Sequence, residues 1–157
     1  MAEAYHEILN RLARHGVDYE ILAHRPLFSM ADVDQALDIG RDARVKSVVV
    51  SDREGLLTVC GIHDAARLDL GAVARVLGTA RSGLRLAPGD LVERELGLPV
   101  GAIGLVPPRH TPTLLADTFD VDGDVYFGAG RNDRTIRAPV GAIITAFRVR
   151  QAAIERQ

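Results

Sequence analysis

The stretch VKSVVVSDREGLLTVCG, residues 45–61, decides the fold. Residues 45–50 are mostly valine, a β-branched residue that favours an extended strand. Residues 52–55 carry Asp, Glu and Gly and are typical of a turn, and residues 56–62 are apolar again. The pattern therefore predicts two antiparallel strands joined by a short turn.

Helices and further strands are predicted on both sides of this hairpin. Ser29 and Asp69 are typical helix N-caps, and Gly16, Gly78 and Gly97 are typical helix ends. The predicted helices cover residues 3–15, 29–37, 69–78 and 88–97, and a C-terminal helical region opens at Pro139. The other predicted strands cover residues 17–22, 84–86, 113–117 and 125–127, with a last strand at 135–137.

This order of elements predicts the fold class. Helices and strands do not alternate strictly, and hairpins are present, which favours a mixed sheet over a doubly wound parallel one. The chain has 157 residues, close to the usual length of one domain, and no linker or repeat divides it. We therefore expect an α/β (α+β) fold in which residues 1–157 form a single domain.

Composition narrows the class of protein. Hydrophobic residues make up 47% and charged residues 25% of the chain, a balance typical of globular domains and not of disordered ones. The N-terminus is amphipathic and charged, and no apolar run is long enough for a membrane helix, so we expect a cytoplasmic protein. The net charge of −2 excludes a surface that is basic overall. Any contact with RNA is therefore expected to be local.

Lys46 is the one lysine of the chain, since the other 18 of its 19 Lys and Arg residues are arginine. A lysine kept against that background indicates a role that a guanidinium cannot fill, because the ammonium is a compact charge with an adjustable pKa. Its strand is otherwise nearly all apolar, which predicts an amine that points to solvent or into a cleft. Chance retention of a single lysine is the alternative interpretation.

Two glycine-containing segments could approach a ligand closely. In the first, Gly101 and Gly104 flank Ala102 and Ile103, and backbone N–H groups of such a loop can hold a carbonyl oxygen or an oxyanion. In the second, small residues at 128–130 precede arginines that can contact phosphates. These are Arg131, Arg134 and Arg137. Each segment, taken alone, also fits a tight turn with surface charge.

Other reactive side chains fit no familiar catalytic or metal-binding pattern. The single cysteine, Cys60, lies in an apolar strand and excludes an intrachain disulfide or a cysteine-rich zinc site. The five histidines lack metal-ligand spacing, and no phosphate-binding or nucleophile-elbow motif is present. His63 and Asp64 are neighbours at a strand end and are expected to point to different faces. We expect no metal and no cofactor.

In their order along the chain, five stretches resemble the YbaK family, the free-standing relatives of the insertion domain of bacterial prolyl-tRNA synthetase. They are VDYEILAHRP (17–26), VKSVVVSDREGLLTVCG (45–61), RLDLGAVARVLG (67–78), LPVGAIGLVPP (98–108) and DVYFGAGRNDRTIRAP (124–139). The resemblance covers about residues 5–147. It implies a mixed, barrel-like β-sheet surrounded by helices. It also implies a trans-editing hydrolase that cleaves the ester of mischarged aminoacyl-tRNA, with substrates of the prolyl-tRNA type, in which water or the substrate itself attacks.

The resemblance also implies roles for individual residues. Lys46 matches the family's functional lysine, which helps to hold the tRNA end and the ester. Gly101, Ala102, Ile103 and Gly104 match the loop that orients the substrate carbonyl. The positions implied for substrate binding are His24, Leu105, Gly130, Arg131 and Thr135. Partners implied by the resemblance are the 3′ end of aminoacyl-tRNA and, as an option, an aminoacyl-tRNA synthetase; we expect a monomer that contacts neither DNA nor a membrane.

Two positions depart from the family pattern and leave alternatives open. Leu105 stands where the family loop usually has proline, and Thr135 stands where some members carry an acidic residue, so both bear on amino-acid specificity. Leu105 favours the alternative of a catalytically inactive regulator that binds tRNA or a synthetase. A second alternative is a small-molecule esterase or thioesterase, with Cys60, His63 and Asp64 as its candidate groups.

Overall fold

Residues 2–157 are described by the computed structural model, and within them five α-helices and ten β-strands alternate irregularly along the chain. The helices are α1 (Ala2–Arg14), α2 (Met30–Ala36), α3 (Leu70–Leu77), α4 (Gly89–Leu96) and α5 (Val140–Phe147). The strands are β1 (Glu20–Ala23), β2 (Val45–Ser51), β3 (Leu57–His63), β4 (Arg67–Leu68), β5 (Arg85–Leu86), β6 (Thr113–Ala116), β7 (Asp124–Gly128), β8 (Arg134–Pro139), β9 (Arg150–Ala152) and β10 (Glu155–Arg156). No helix among these residues is long and apolar enough to span a bilayer.

Local capping signals account for the helix ends. The Ser29 side chain accepts a hydrogen bond from the backbone N–H of Asp32 and begins α2, and the Asp69 side chain accepts one from Ala72 and begins α3. Gly78 ends α3 in the left-handed conformation. These three predictions from the sequence are confirmed.

The strands form one mixed sheet and two antiparallel ones. In the five-stranded sheet, the order is β5-β2-β3-β6-β9; β2 pairs antiparallel with β3 and β5, whereas β3 with β6 and β6 with β9 are parallel. A three-stranded antiparallel sheet has the order β1-β8-β7, and β10 pairs with β4. The prediction of a mixed sheet is therefore confirmed, although within residues 2–157 no sheet closes into a barrel.

Both faces of β3 are buried. Residues on one face, including Leu57 and Val59, pack with α4, and residues on the other, including Cys60 and Ile62, pack with α3 in the larger core cluster. Consecutive residues of a strand point to opposite faces, so a strand buried on both sides needs the near-continuous apolar sequence seen at residues 57–62.

The sequence did not predict strands β4, β9 and β10, and it placed β1 too early in the chain. The strand expected at residues 17–22 is Glu20–Ala23, because Val17 closes the end of α1 through a hydrogen bond to Leu12 O. Residues 135–137 lie in a strand as predicted, within β8, but this strand is not the last one, since β9 and β10 follow α5. Strands β4, β9 and β10 have two or three residues each, too few for a visible alternation, and long-range pairing alone defines them.

Candidate functional site

A cavity of about 440 Å³ lies between the five-stranded and the three-stranded sheet. Strand β5 covers the edge of β2 only at Val50 and Ser51, and an isolated bridge joins Arg44 to Tyr126 of β7. Residues 45–49 of β2 and 126–128 of β7 therefore line two sides of the cavity, and α2 with its flanking segments forms a third wall. The cavity is thus a gap left where two strand edges face each other without pairing.

Lys46 borders this cavity from β2. Its ammonium group donates hydrogen bonds to the carbonyl oxygens of Asp64, at 3.3 Å, and Ala66, at 3.2 Å, in the turn that follows β3. An ammonium group has three donors, so one remains for a ligand. The turn therefore fixes the amine at the edge of the cavity.

The predicted glycine loop contributes alternate residues to the cavity. Gly101 and Ile103 line it, whereas Ala102 and Gly104 do not. A Cβ atom at Gly101 would meet nothing within 4 Å, but one at Gly104 would collide with the carbonyl oxygen of Gly128 and lie 2.7 Å from the Phe127 ring. Gly101 therefore opens the backbone to the cavity, and Gly104 lets the loop pack directly on β7.

Gly130 lies behind the same loop and does not border the cavity. Its N–H donates a hydrogen bond to Ala102 O at 2.9 Å, and its φ is +85°, a conformation that favours glycine. A Cβ there would lie 3.1 Å from Ile8 of α1. Gly130 thus connects the loop to the β7–β8 hairpin rather than to the cavity.

His24 and Thr135 meet across the β1–β8 pair and both line the cavity. One ring nitrogen of His24, Nδ1, lies 2.7 Å from the carbonyl oxygen of Arg25, and the other, Nε2, lies 2.8 Å from Thr135 Oγ1. Because a carbonyl can only accept, Nδ1 carries the proton in a neutral ring, and Nε2 then accepts the Thr135 hydroxyl. This pair fixes the orientation of both side chains.

Arg131 lines the cavity and forms a two-point ion pair with Asp133, through Nε and Nη2 at 2.9 Å each. Its guanidinium also lies over the Tyr5 ring, 5.5 Å from the centroid. The hydrogen bonds from Arg131 hold the pKa of Asp133 below its usual range, so this carboxylate is ionised at neutral pH. The guanidinium is therefore held in one position.

Every charged side chain that lines the cavity is basic. They are Arg44, Lys46, Arg131 and Arg134, and none of the described Asp or Glu residues lines it. The carboxylates that pair with the arginines, Asp34, Asp64 and Asp133, lie outside the lining. The remaining walls are largely aliphatic and aromatic. The arrangement suits a ligand with an apolar part and an anionic part.

The polar lining residues that sequence reasoning missed include Ser47 and Arg44. The Ser47 hydroxyl is buried and has no hydrogen-bond partner within residues 2–157, and neither does Nε of Arg44, whose side chain is 7% exposed. Ser47 could have been found, since it is a polar residue in a run of valines. Arg44 precedes that run and carries no comparable signal.

Leu105 does not line the cavity. Its side chain is fully buried, and its Cδ2 would lie 2.9 Å from a Cβ at Gly61 of β3. Ile103 belongs to the smaller core cluster, beside the cavity, whereas Leu105 belongs to the larger one.

The groups named for an esterase do not converge. Cys60 is fully buried, and burial raises the pKa of its thiol to about 12. His63 stacks on Phe119 and lies 2.9 Å from Glu155 through Nδ1, while Asp64 pairs with Arg41 and Arg44. None of the three lines the cavity, and among the described residues no three His, Cys, Asp or Glu side chains form a metal-binding group.

Comparison with known proteins adds a family and a fold. A sequence model of the aminoacyl-tRNA editing domain matches residues 24–145. Two solved structures share the fold. The first, a hypothetical protein, has 20% sequence identity and a TM-score of 0.85, and the match covers 96% of this chain and 99% of that one. The second, a protein proposed to be a trans-editing enzyme for prolyl tRNA synthetase, has 18% identity and a TM-score of 0.78, and the match covers 98% of each chain. A search of curated proteins found no match.

Proposed function

Because the chain belongs to the aminoacyl-tRNA editing domain family, we propose that it is a trans-acting deacylase that hydrolyses the ester between an amino acid and the 3′ end of tRNA. The observation that carries this proposal is the lining of the cavity, in which all charged side chains are basic and the rest is largely apolar. An aminoacyl-tRNA end has the matching composition, with anionic phosphates next to an uncharged ester and a side chain.

The reaction needs little more than a positioned ester and water. Water adds to the ester carbonyl, the bond from the acyl carbon to the ribose oxygen breaks, and the products are the free amino acid and a tRNA with its terminal hydroxyl restored. The N–H of Ala102 already donates to Pro99 O at 3.0 Å. The backbone N–H of Gly101 or Ile103, which both line the cavity, would therefore be the one to bind the oxyanion that forms. The third Lys46 donor would contact a phosphate or an ester oxygen.

Hydrolysis without a covalent intermediate fits the placement of nucleophiles. The thiol of Cys60 is buried outside the cavity. In the contacts of the described residues, no carboxylate–histidine pair stands behind the hydroxyls that line it, which are those of Ser29, Ser47, Tyr126 and Thr135. Orientation and oxyanion stabilisation can supply several kcal/mol without such a nucleophile. A water molecule, which the free hydroxyl of the terminal ribose would help to orient, would then attack the ester carbonyl.

We propose that the substrates are of the prolyl-tRNA type and carry a small or medium amino acid. Val45, Val49 and Ile103 line the cavity and would surround the side chain with apolar groups. Apolar walls separate amino acids that differ by one methylene by only about 1–3 kcal/mol, which is why editing by a second site is useful. We also propose that the protein is cytoplasmic, is a monomer and binds an aminoacyl-tRNA synthetase. Light scattering with and without the synthetase tests the monomeric state and the binding.

The alternative of an inactive binding protein rested on Leu105. Since that side chain lies in the core and not at the cavity, the argument for inactivity no longer has a structural basis. Activity therefore remains the proposal that the site supports best.

A panel of mischarged tRNAs, incubated with the protein beside a small aminoacyl ester, tests the proposal. We expect the amino acid to be released from tRNA and not from the small ester. Among the charged tRNAs of the panel, we expect one to be hydrolysed faster than the others. Binding of tRNA without release would contradict deacylation. Release from the small ester alone would indicate an esterase instead.

A further inference from the structure

Phe28 is the most exposed large hydrophobic side chain among the described residues, at 77%. The other three phenylalanines, Phe119, Phe127 and Phe147, are buried or pack against the core. Phe28 belongs to neither core cluster. It nevertheless lines the cavity. A side chain that borders a cavity and is mostly in solvent lies at its mouth.

The backbone on both sides of Phe28 is fixed. Its own N–H donates a hydrogen bond to Asp32 Oδ2 at 2.8 Å, and the N–H of the preceding, buried Leu27 donates one to Asn132 O at 2.8 Å. Ser29, the next residue, caps α2. The aromatic ring is therefore presented to solvent from a fixed backbone and not from a disordered loop.

The ring shares its cavity with the basic side chains of Lys46, Arg131 and Arg134. An exposed aromatic face beside basic groups is the combination that binds single-stranded nucleic-acid ends, because bases stack on the ring while cations contact phosphates. A small aliphatic ester has no flat base and would not use such a ring in this way.

We propose that Phe28 is the stacking platform for the terminal base of the aminoacyl-tRNA. The inference rests on the proposed function, in which the ester enters the cavity and the nucleoside attached to it stays at the mouth. Phe28 would thus bind the part of the substrate that all aminoacyl-tRNAs share, and the inner walls would read the amino acid. The residue contributes to affinity for the RNA end and not to the choice of amino acid.

A double-mutant cycle tests this directly. Single-turnover deacylation is measured with an acylated RNA hairpin that ends in adenosine and with the same hairpin ending in an abasic ribose, for the wild-type protein, Phe28→Leu and Phe28→Trp. We expect the wild type to favour the adenosine end by roughly 5- to 100-fold in half-saturating concentration. Phe28→Leu should lose that preference, and Phe28→Trp should keep it. Leu56→Ala, at a side chain that is 65% exposed and outside this cavity, is the matched control and should behave as the wild type.

Retention of the wild-type preference by Phe28→Leu overturns the proposal, as does an equal loss of affinity for both RNA ends. The same RNAs without an amino acid are titrated in parallel by fluorescence anisotropy. A preference for adenosine that depends on Phe28 in binding, with no hydrolysis of any acylated RNA, supports the platform and contradicts the deacylase. Hydrolysis without such a preference supports the deacylase and contradicts the platform.

Discussion

The N–H of Gly130 donates a hydrogen bond to the carbonyl oxygen of Ala102 at 2.9 Å, and this bond joins the glycine loop to the β7–β8 hairpin. Next to it, Gly104 packs against the backbone of Gly128 so closely that no Cβ could fit. The loop is therefore placed by backbone contacts that only small residues permit. Gly101, one turn earlier, has open space instead.

The first prediction contrasts these two glycines. Gly104→Ala should lower the free energy of unfolding by about 1–3 kcal/mol or more, because the obstacles include a backbone carbonyl that cannot move aside like a side chain. Gly101→Ala should unfold like the wild type but deacylate more slowly, since its methyl group would occupy space at the cavity. Thermal or urea unfolding with single-turnover kinetics checks both. Equal stability of the two variants would contradict the packing argument.

The second prediction concerns the amine of Lys46. Lys46→Ala should slow deacylation roughly 10- to 100-fold, the value of one charged hydrogen bond that acts in the transition state. It should also cost about 1–3 kcal/mol of stability, because the carbonyls of Asp64 and Ala66 lose a shared donor. Lys46→Arg should restore the rate only in part, since the guanidinium is larger and places its donors elsewhere.

A methionine variant separates the loss of the donors of Lys46 from the loss of its aliphatic stem. Lys46→Met keeps the aliphatic stem and removes the donors, so it should match Lys46→Ala in rate. Rates and melting curves are measured together for all three variants. Wild-type rates in Lys46→Ala would remove this residue from the mechanism, and full rescue by arginine would mean that any cation suffices.

The elements that could be predicted from the sequence are those set by residues close to one another along the chain. Helix caps such as Ser29 and Asp69 act within three residues, and the β2–β3 hairpin is set by a local turn, so both were predictable. Strand β9 pairs with β6, more than 30 residues away, and has too few residues for a pattern of its own. Such strands exist only because the folded core brings them together.

The candidate site shows the same division. Lys46 and Gly101 were identified from the sequence by residue type, and both line the cavity. Which neighbouring residues also line the cavity was not predictable, because the lining depends on how the two sheets and the loop pack together. Ile103 lines the cavity and Leu105 does not, while Ser47, adjacent to Lys46, does. The ion pairs of Arg44 depend on tertiary contacts with α2 and the turn after β3.

The third prediction uses Ile103 and Leu105 as a matched pair. Both side chains are buried, at 3% and 0% exposure. Leu105→Ala and Ile103→Ala should each destabilise the protein by about 2–5 kcal/mol. Only Ile103→Ala should change the relative rates across a panel of charged tRNAs, in favour of larger amino acids, because only Ile103 borders the cavity. A shift of the profile by Leu105→Ala would mean that the core residue controls selectivity after all.

The last prediction concerns the hydroxyl of Ser47. It is buried beside the cavity and has no hydrogen-bond partner among the described residues, which costs free energy in the ligand-free protein. Ser47→Ala removes that cost and should raise the free energy of unfolding by about 1 kcal/mol. If the hydroxyl is kept for the substrate, the same change should slow deacylation by about 2- to 10-fold, the worth of one neutral hydrogen bond.

Ser51 provides the control for Ser47. It lies on the same strand, is fully buried, and its Oγ donates to Asp52 O at 3.0 Å, outside the cavity lining. Ser51→Ala should therefore lower stability and leave the intrinsic rate unchanged. If Ser47→Ala raises the free energy of unfolding and Ser51→Ala lowers it, β2 keeps an unpaired hydroxyl at the cavity at a cost in stability. Unchanged deacylation in Ser47→Ala would show that the hydroxyl contacts no reacting group, whatever the change in stability.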